Sequence, residues 1–228
     1  MNPIEQAKYN AAKEAITYIK NGMIIGLGTG STANKAMELL AEKIREDKLD
    51  IICIATSKKT EQLAKDLKLE LTTLDQIEKI DITIDGADEV DPRVNLIKGK
   101  GGALTREKIL LRAARKVVIV IDETKLVRRL GEKNPVPVEV FPFAVEFASK
   151  RLERLGGAPE LRKKAGKPVL TDNGNYIIDV WFDGINEPSR LEREINEVPG
   201  VVENGIFTVP VDLLIIGGRE GVKVVNCR

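Results

Sequence analysis

A chain of 228 residues holds one large domain or one and a half at about 150 residues each, and it can bury enough surface to fold without a disulfide or structural metal. Its 36 basic and 35 acidic side chains leave a net charge of +1, which argues against a disordered chain or a broad basic face for nucleic acid. With no histidine and two cysteines, a Ser-His-Asp triad, a Cys-His pair, an H-E-x-x-H zinc site and an imidazole shuttle are excluded, so acid–base work falls to Asp, Glu, Lys, Tyr or Cys. The longest apolar runs, 117–121 and 213–216, are far short of the roughly 20 residues a bilayer needs. The absence of a signal-type N-terminus and the sparse thiols, Cys53 and Cys227, predict a cytoplasmic protein.

From Asn2-Pro3, residues Ile4, Ala7, Ala11, Ala15, Ile16 and Ile19 recur at helical spacing, and Asn21-Gly22 supplies a stop. A buried strand is expected over 23–27, a tight loop over 28–31 and a helix over 32–44 with Ala33, Ala36, Met37, Leu40 and Ile44 on one face. Strands over 51–55, 80–84 and 117–121 alternate with helices over 58–67 and 104–115. That alternation predicts an α/β fold: an open, mostly parallel, Rossmann-like sheet with helices on both faces. From Gly131 the pattern changes to strand 136–140, helix 143–155, strand 168–171, a turn at Asp172-Asn-Gly-Asn, strand 176–182, helix 188–198 and strand 201–207. This βαββαβ order predicts an inserted ferredoxin-like α+β domain over 131–207. The strand over 212–217 then returns to the first sheet, giving a catalytic domain of 1–130 and 208–228.

In an open α/β sheet ligands lie beyond the carboxyl ends of the strands. After the first strand comes Gly26-Leu-Gly-Thr-Gly-Ser-Thr, with Thr29, Ser31 and Thr32 leading into a helix. Such a turn either cradles a phosphate on its amides and the helix dipole or simply lets strand and helix pack closely. Ser31 stands where a dinucleotide fingerprint needs glycine, and no lysine precedes it as a nucleotide P-loop requires. The strand 80–84 runs into Asp85-Gly-Ala-Asp-Glu-Val-Asp, where repulsion among carboxylates is relieved by a ligand or by water. Asp85 and Asp88 are expected to face a ligand, with Glu89 and Asp91 left to solvent; the spacing lacks the glycine of an EF-hand loop. Three glycines in Lys98-Gly-Lys-Gly-Gly-Ala-Leu-Thr-Arg-Glu-Lys allow close backbone approach, with Lys98 and Glu107 on either side of one loop. Lys125 follows the strand 117–121 in Asp122-Glu-Thr-Lys.

Together with Pro135-Val-Pro-Val-Glu-Val and Thr171-Asp-Asn-Gly-Asn, these motifs resemble, in order and across nearly the whole chain, type A ribose-5-phosphate isomerase. The resemblance implies interconversion of D-ribose 5-phosphate and D-ribulose 5-phosphate in the pentose phosphate pathway, with no metal or other cofactor. It implies a substrate-binding loop of Thr29, Gly30, Ser31 and Thr32 and a second segment of Asp85, Gly86, Ala87 and Asp88. A third segment is Lys98, Gly99, Lys100 and Gly101, with Glu107 as proton acceptor and Lys125 as a further substrate ligand. Lys100 and Gly102 depart from the family, where many relatives carry glycine and alanine.

On this reading Glu107 moves the proton, Lys98 steadies the oxyanion, Asp85 and Asp88 hold hydroxyls and help open the ring, and the 29–32 loop and Lys125 anchor the phosphate. The resemblance also implies a homodimer or homotetramer and a small phosphosugar as partner, with neither nucleic acid nor membrane. The rivals are a sugar-phosphate-sensing regulator, which would need a DNA-reading module that the sequence before the first helix does not supply, and an amino-sugar phosphate deaminase or acyl-group transferase on the same scaffold.

Overall fold

Two helices of the first half have side-chain caps that the sequence encodes. The computed structural model describes residues 2–227. Helix α1 (Pro3–Ala15) opens on Asn2, whose side chain accepts from the Glu5 N–H at 2.8 Å, with proline in its first turn. Strand β1 (Ile24–Leu27), helix α2 (Ser31–Asp47) and strand β2 (Ile52–Ala55) follow. Helix α3 (Lys58–Asp66) is capped by Ser57, whose Oγ accepts from Thr60 N at 3.0 Å. Then come β3 (Glu70–Leu71), β4 (Ile80–Asp85), β5 (Glu89–Val90), β6 (Leu96–Ile97), α4 (Leu104–Ala113), β7 (Ala114–Asp122) and β8 (Val136–Val140). The remainder is α5 (Val145–Arg154), β9 (Ala158–Leu161), β10 (Lys163–Lys164), β11 (Lys167–Pro168), β12 (Tyr176–Trp181), α6 (Pro188–Asn196), β13 (Val201–Asn204), β14 (Ile206–Phe207), β15 (Leu213–Gly217) and β16 (Val222–Asn226).

The chain forms two units. The first takes the residues up to Ala87, Arg106–Lys125 and those from Pro210 onward; the second takes Asp88–Thr105 and Leu126–Val209. Compared with the sequence reading, segments 88–105, 126–130 and 208–209 fall in the second unit; the first does so because β5 and β6 pair with β14 rather than with the large sheet.

The first unit carries a seven-stranded sheet in the order β16-β15-β7-β4-β1-β2-β3, parallel except for the β15–β16 edge pair. Alternation along the strands sends Ile25, Leu27, Cys53, Ile82, Ile84, Val118 and Val120 to a core shared with Ala11 and Ala15 of α1 and Ala36, Met37 and Leu40 of α2. Ile24 and Ile54 pack instead with Leu110 of α4, so helices cover both faces. The small residues of α1 have a reason: a side chain at Gly217 would collide with the Ala7 carbonyl, so helix and strand are nearly in backbone contact.

The second unit holds a four-stranded antiparallel sheet in the order β13-β8-β12-β9, which with α5 and α6 reproduces the ferredoxin-like βαββαβ arrangement. Its core joins Val136, Val138, Val140, Ile178 and Val180 to Ala148, Leu152 and Ile195. One strand is not where the sequence reading placed it. The second strand of the motif is Ala158–Leu161, whereas of residues 168–171 only Pro168 joins a strand, the short β11 paired with β10, and Leu170 makes an isolated bridge to Tyr176. β9 is an edge strand containing Pro159 with partly exposed positions throughout, so no hydrophobic alternation marks it. The strand expected over 201–207 breaks at Gly205, where a side chain would strike the Lys98 carbonyl and Pro137. There the chain leaves β8 and joins β6.

Candidate active site

In the first unit the loops after β1, β4 and β7 leave the parallel sheet at its carboxyl edge. The glycines of the first loop divide into two kinds. A Cβ at Gly26 would fall on Thr83, and one at Gly28 would lie 2.6 Å from the Asp85 Cα, so these two serve close packing. Gly30, with φ at 129° and open space around it, N-caps α2 and leaves the first-turn amides of that helix at the sheet's edge. Gly30 and Ser31 are exposed, whereas Thr32 is buried.

Thr29 is turned inward. Its N–H donates to Asp85 Oδ1 at 3.1 Å, and its hydroxyl meets those of Thr56, Ser57 and Thr60 at 2.8, 2.9 and 3.0 Å. Thr56 and Thr60 in turn donate to the carbonyls of Leu27 and Gly28. This hydroxyl cluster escaped the sequence reading, although Thr56-Ser57 at the end of β2 is its visible trace. Asp85 is fully buried, and its Oδ1 also accepts from Gly86 N at 2.7 Å; Ala87 closes this stretch of the first unit.

Glu107 lies in the first turn of α4 and is only 3% exposed. The helix runs antiparallel to the strands, since it leads directly into the start of β7, parallel to β4. Thr83 Oγ1 donates to the Leu110 carbonyl at 3.3 Å. One turn nearer the helix start, Glu107 therefore sits toward the carboxyl end of β4, where Asp85 is the last residue. At the end of β7, Asp122 Oδ1 accepts from the Thr124 N–H at 3.0 Å and from the Thr124 hydroxyl, fixing the Glu123–Lys125 turn that presents Lys125.

The chain enters the second unit between Ala87 and Asp88 and leaves it between Thr105 and Arg106. Within that unit Asp88 N donates to the Ile97 carbonyl at 2.8 Å, and Asp88 Oδ2 accepts from Lys100 N at 3.0 Å. Lys98 is 2% exposed, donates its N–H to Gly205 O at 2.9 Å and holds its ammonium 5.7 Å from the Phe207 ring centroid. Gly99 (φ 100°) and Gly102 (φ 80°) close a turn through Gly102 N to Gly99 O at 2.9 Å, leaving Lys100 and Gly101 exposed at its tip.

Glu89 and Asp91 are not left to solvent. Glu89 is fully buried and accepts from the N–H groups of Gly131, Lys133 and Asn134 at 2.7, 2.7 and 2.6 Å and from Asn134 Nδ2. Asp91 accepts from the N–H groups of Arg93 and Asn95 and from Asn95 Nδ2. The β5–β6 hairpin turns both inward, which a two-residue strand gives no alternation to reveal. Glu139 also went unrecognised. It is fully buried in β8, yet it accepts from Thr105 Oγ1 at the start of α4, from Thr171 Oγ1 and from the amides of Asn173 and Asn175.

Elsewhere in the first unit, burial pushes the Cys53 thiol up to about 12, so it stays protonated. The Ile24 N–H, helped by Lys79, holds the Asp81 carboxyl below the usual range. No helix among the described residues is long and apolar enough to cross a membrane, and no three Cys, Asp or Glu among them gather as a metal-holding group.

Residues 52–221 match the family model for ribose 5-phosphate isomerase A (phosphoriboisomerase A). The chain is 49% identical over 218 residues to ribose-5-phosphate isomerase A of Thermosynechococcus vestitus, covering 94% of this chain and 92% of that one. The solved ribose 5-phosphate isomerase A of Methanocaldococcus jannaschii is 47% identical with a TM-score of 0.93, over 97% of this chain and 99% of that one. A solved D-ribose-5-phosphate isomerase in complex with phospho-erythronic acid is 46% identical with a TM-score of 0.96, over 99% and 100%. Sequence and fold thus agree over essentially the full length, and the chain belongs to the ribose 5-phosphate isomerase A family.

Proposed function

We propose that this isomerase interconverts D-ribose 5-phosphate and D-ribulose 5-phosphate by proton transfer through an enediol, with Glu107 as the base. The observation that carries this reading is the burial of Glu107 in the first turn of α4, toward the carboxyl end of the strand that ends in Asp85. A carboxylate at a helix start is favoured by the dipole, and its shielding from water suits a base that must keep hold of the proton it takes.

In the aldose-to-ketose direction Glu107 removes the C2 hydrogen as a proton. The C–H electron pair becomes the C1–C2 double bond, and the C1 oxygen takes up negative charge and then a proton. The O2 hydroxyl then gives up its proton as C2 becomes the carbonyl, and Glu107 returns the carbon-bound proton to C1. Atoms and electrons balance without a redox partner. Lys98 supplies the cation for the developing oxyanion, an effect that is strongest where water is excluded. Asp85 and Asp88 accept from substrate hydroxyls and assist ring opening.

The phosphate rests on the amides at the start of α2 with Gly30, Ser31 and Thr32, and Lys125 adds charge. Thr29 contributes by shaping the turn, since its hydroxyl is committed to Thr56, Ser57 and Thr60. Gly86, Ala87, Gly99, Lys100 and Gly101 offer backbone along the sugar. The protein acts in the cytoplasm as a homodimer or homotetramer; support for self-association comes from the second unit, where Phe141, Phe143 and Phe147 stand exposed together around one apolar groove.

The test is ketose formation from ribose 5-phosphate by the purified protein, before and after exhaustive EDTA treatment. Equal rates support proton transfer without metal. Loss of activity restored by a divalent cation would replace it with a metal-assisted hydride shift, and binding without turnover would favour a sensor. Sedimentation of the wild type and of Phe143→Asp reads the assembly, with a monomeric wild type overturning it.

A further inference from the structure

The loop 98–102 is gripped from behind by an ion pair to which no role in the reaction has been given. Arg162 places Nε and Nη2 on the two carboxylate oxygens of Asp179 at 2.7 and 2.5 Å. This bidentate fork leaves Nη1 free to donate at 3.1 Å to Gly99 O and at 3.1 Å to Lys100 O. The side chains of Arg162 and Asp179 are 17% and 19% exposed, in a cleft of about 380 Å³ lined also by Asp88, Lys100 and Trp181.

The Gly99 carbonyl and the Lys100 N–H belong to one planar peptide and point in opposite directions. The carbonyl side of that peptide takes Arg162, and its N–H side donates to Asp88 Oδ2 at 3.0 Å. A cation on the carbonyl polarises the peptide and strengthens its N–H as a donor, so the three groups form one cooperative chain. We infer that Arg162, oriented by Asp179, is a positioning residue for the isomerisation, acting through the Gly99–Lys100 peptide on the carboxylate of Asp88. Arg162 holds two successive carbonyls at once, those of Gly99 and Lys100. Lysine, a compact ammonium without the planar fork, cannot grip Asp179 bidentately and both carbonyls together.

The inference rests on Asp88 contacting the substrate, and the experiment separates the two claims. Turnover of ribose 5-phosphate is measured for Arg162→Ala, Asp88→Asn and the double variant, with thermal midpoints taken alongside; Arg162→Gln replaces Arg162→Ala if the latter does not fold. Arg162→Ala is expected to lower kcat about 10- to 100-fold, the scale of a misplaced catalytic group, with KM changed by no more than about threefold. In the double variant kcat should match Asp88→Asn alone, because a residue that acts through another has nothing left to position. Losses that multiply in the double variant overturn the inference. So does wild-type turnover in Arg162→Ala beside an impaired Asp88→Asn, which leaves the reaction scheme intact. Wild-type turnover in Asp88→Asn removes both the inference and the assignment of Asp88.

Discussion

On the proposed mechanism the two units use buried carboxylates for opposite purposes. In the second, Glu89 and Glu139 lie fully buried among neutral donors, three backbone N–H groups and an asparagine amide for one, two threonine hydroxyls and two asparagine amides for the other. Such carboxylates tie together segments far apart in sequence, and removing them leaves several buried donors without partners. In the first, Asp85 and Glu107 are almost as buried but stand at the end of a strand and the start of a helix, where an open α/β sheet places its ligands. On that mechanism burial alone does not separate structural from working carboxylates, and position on the sheet narrows the choice without deciding it, since Asp122 ends β7 yet is spent on Thr124.

That contrast is breakable by substitution. The largest expected effect is at Glu107: exchange for glutamine should lower kcat at least about 10²-fold, the low end for losing an acid–base group, while the melting temperature stays near that of the wild type. A melted Glu107→Gln protein, or one with normal turnover, would erase the distinction. Glu89→Gln should do the reverse. Its amide turns a donor toward backbone N–H groups, costing about 2–3 kcal/mol and several degrees in Tm, with kcat of the folded fraction little changed. A calorimetric scan with a parallel rate assay reads both.

A smaller effect sharpens the comparison at the far end of the sheet. Because the Ile24 N–H and Lys79 hold the Asp81 carboxyl low, its contribution to stability is full above its unfolded value, about 4, and fades as pH falls through the folded value. Asp81→Asn should flatten that acid limb of the stability curve at a cost under about 1 kcal/mol at neutral pH. An unchanged acid limb would show that Asp81 adds nothing.

These particulars also show what a sequence can disclose. The parallel strands were readable because a strand buried on both faces must be a run of Ile and Val, as in 117–121. Glu107 could be singled out as a candidate because glycines crowd the approach to its helix. β9 was not, since an edge strand with Pro159 and charged neighbours carries no alternation. Nor could the burial of Glu89, which the sequence reading leaves to solvent, be foreseen, because its partners lie at 131–134. The inward turn of the Thr29 hydroxyl likewise depends on residues 27–31 positions away in the chain.

The most direct measurement is a crystal structure of Glu107→Gln soaked with ribose 5-phosphate, in which slow turnover traps the sugar. The account predicts the substituted side chain about 3 Å from C2 or C1, with the phosphate on the amides at the start of α2. A sugar seated with its C2 beside any other carboxylate, and residue 107 out of reach, would contradict it.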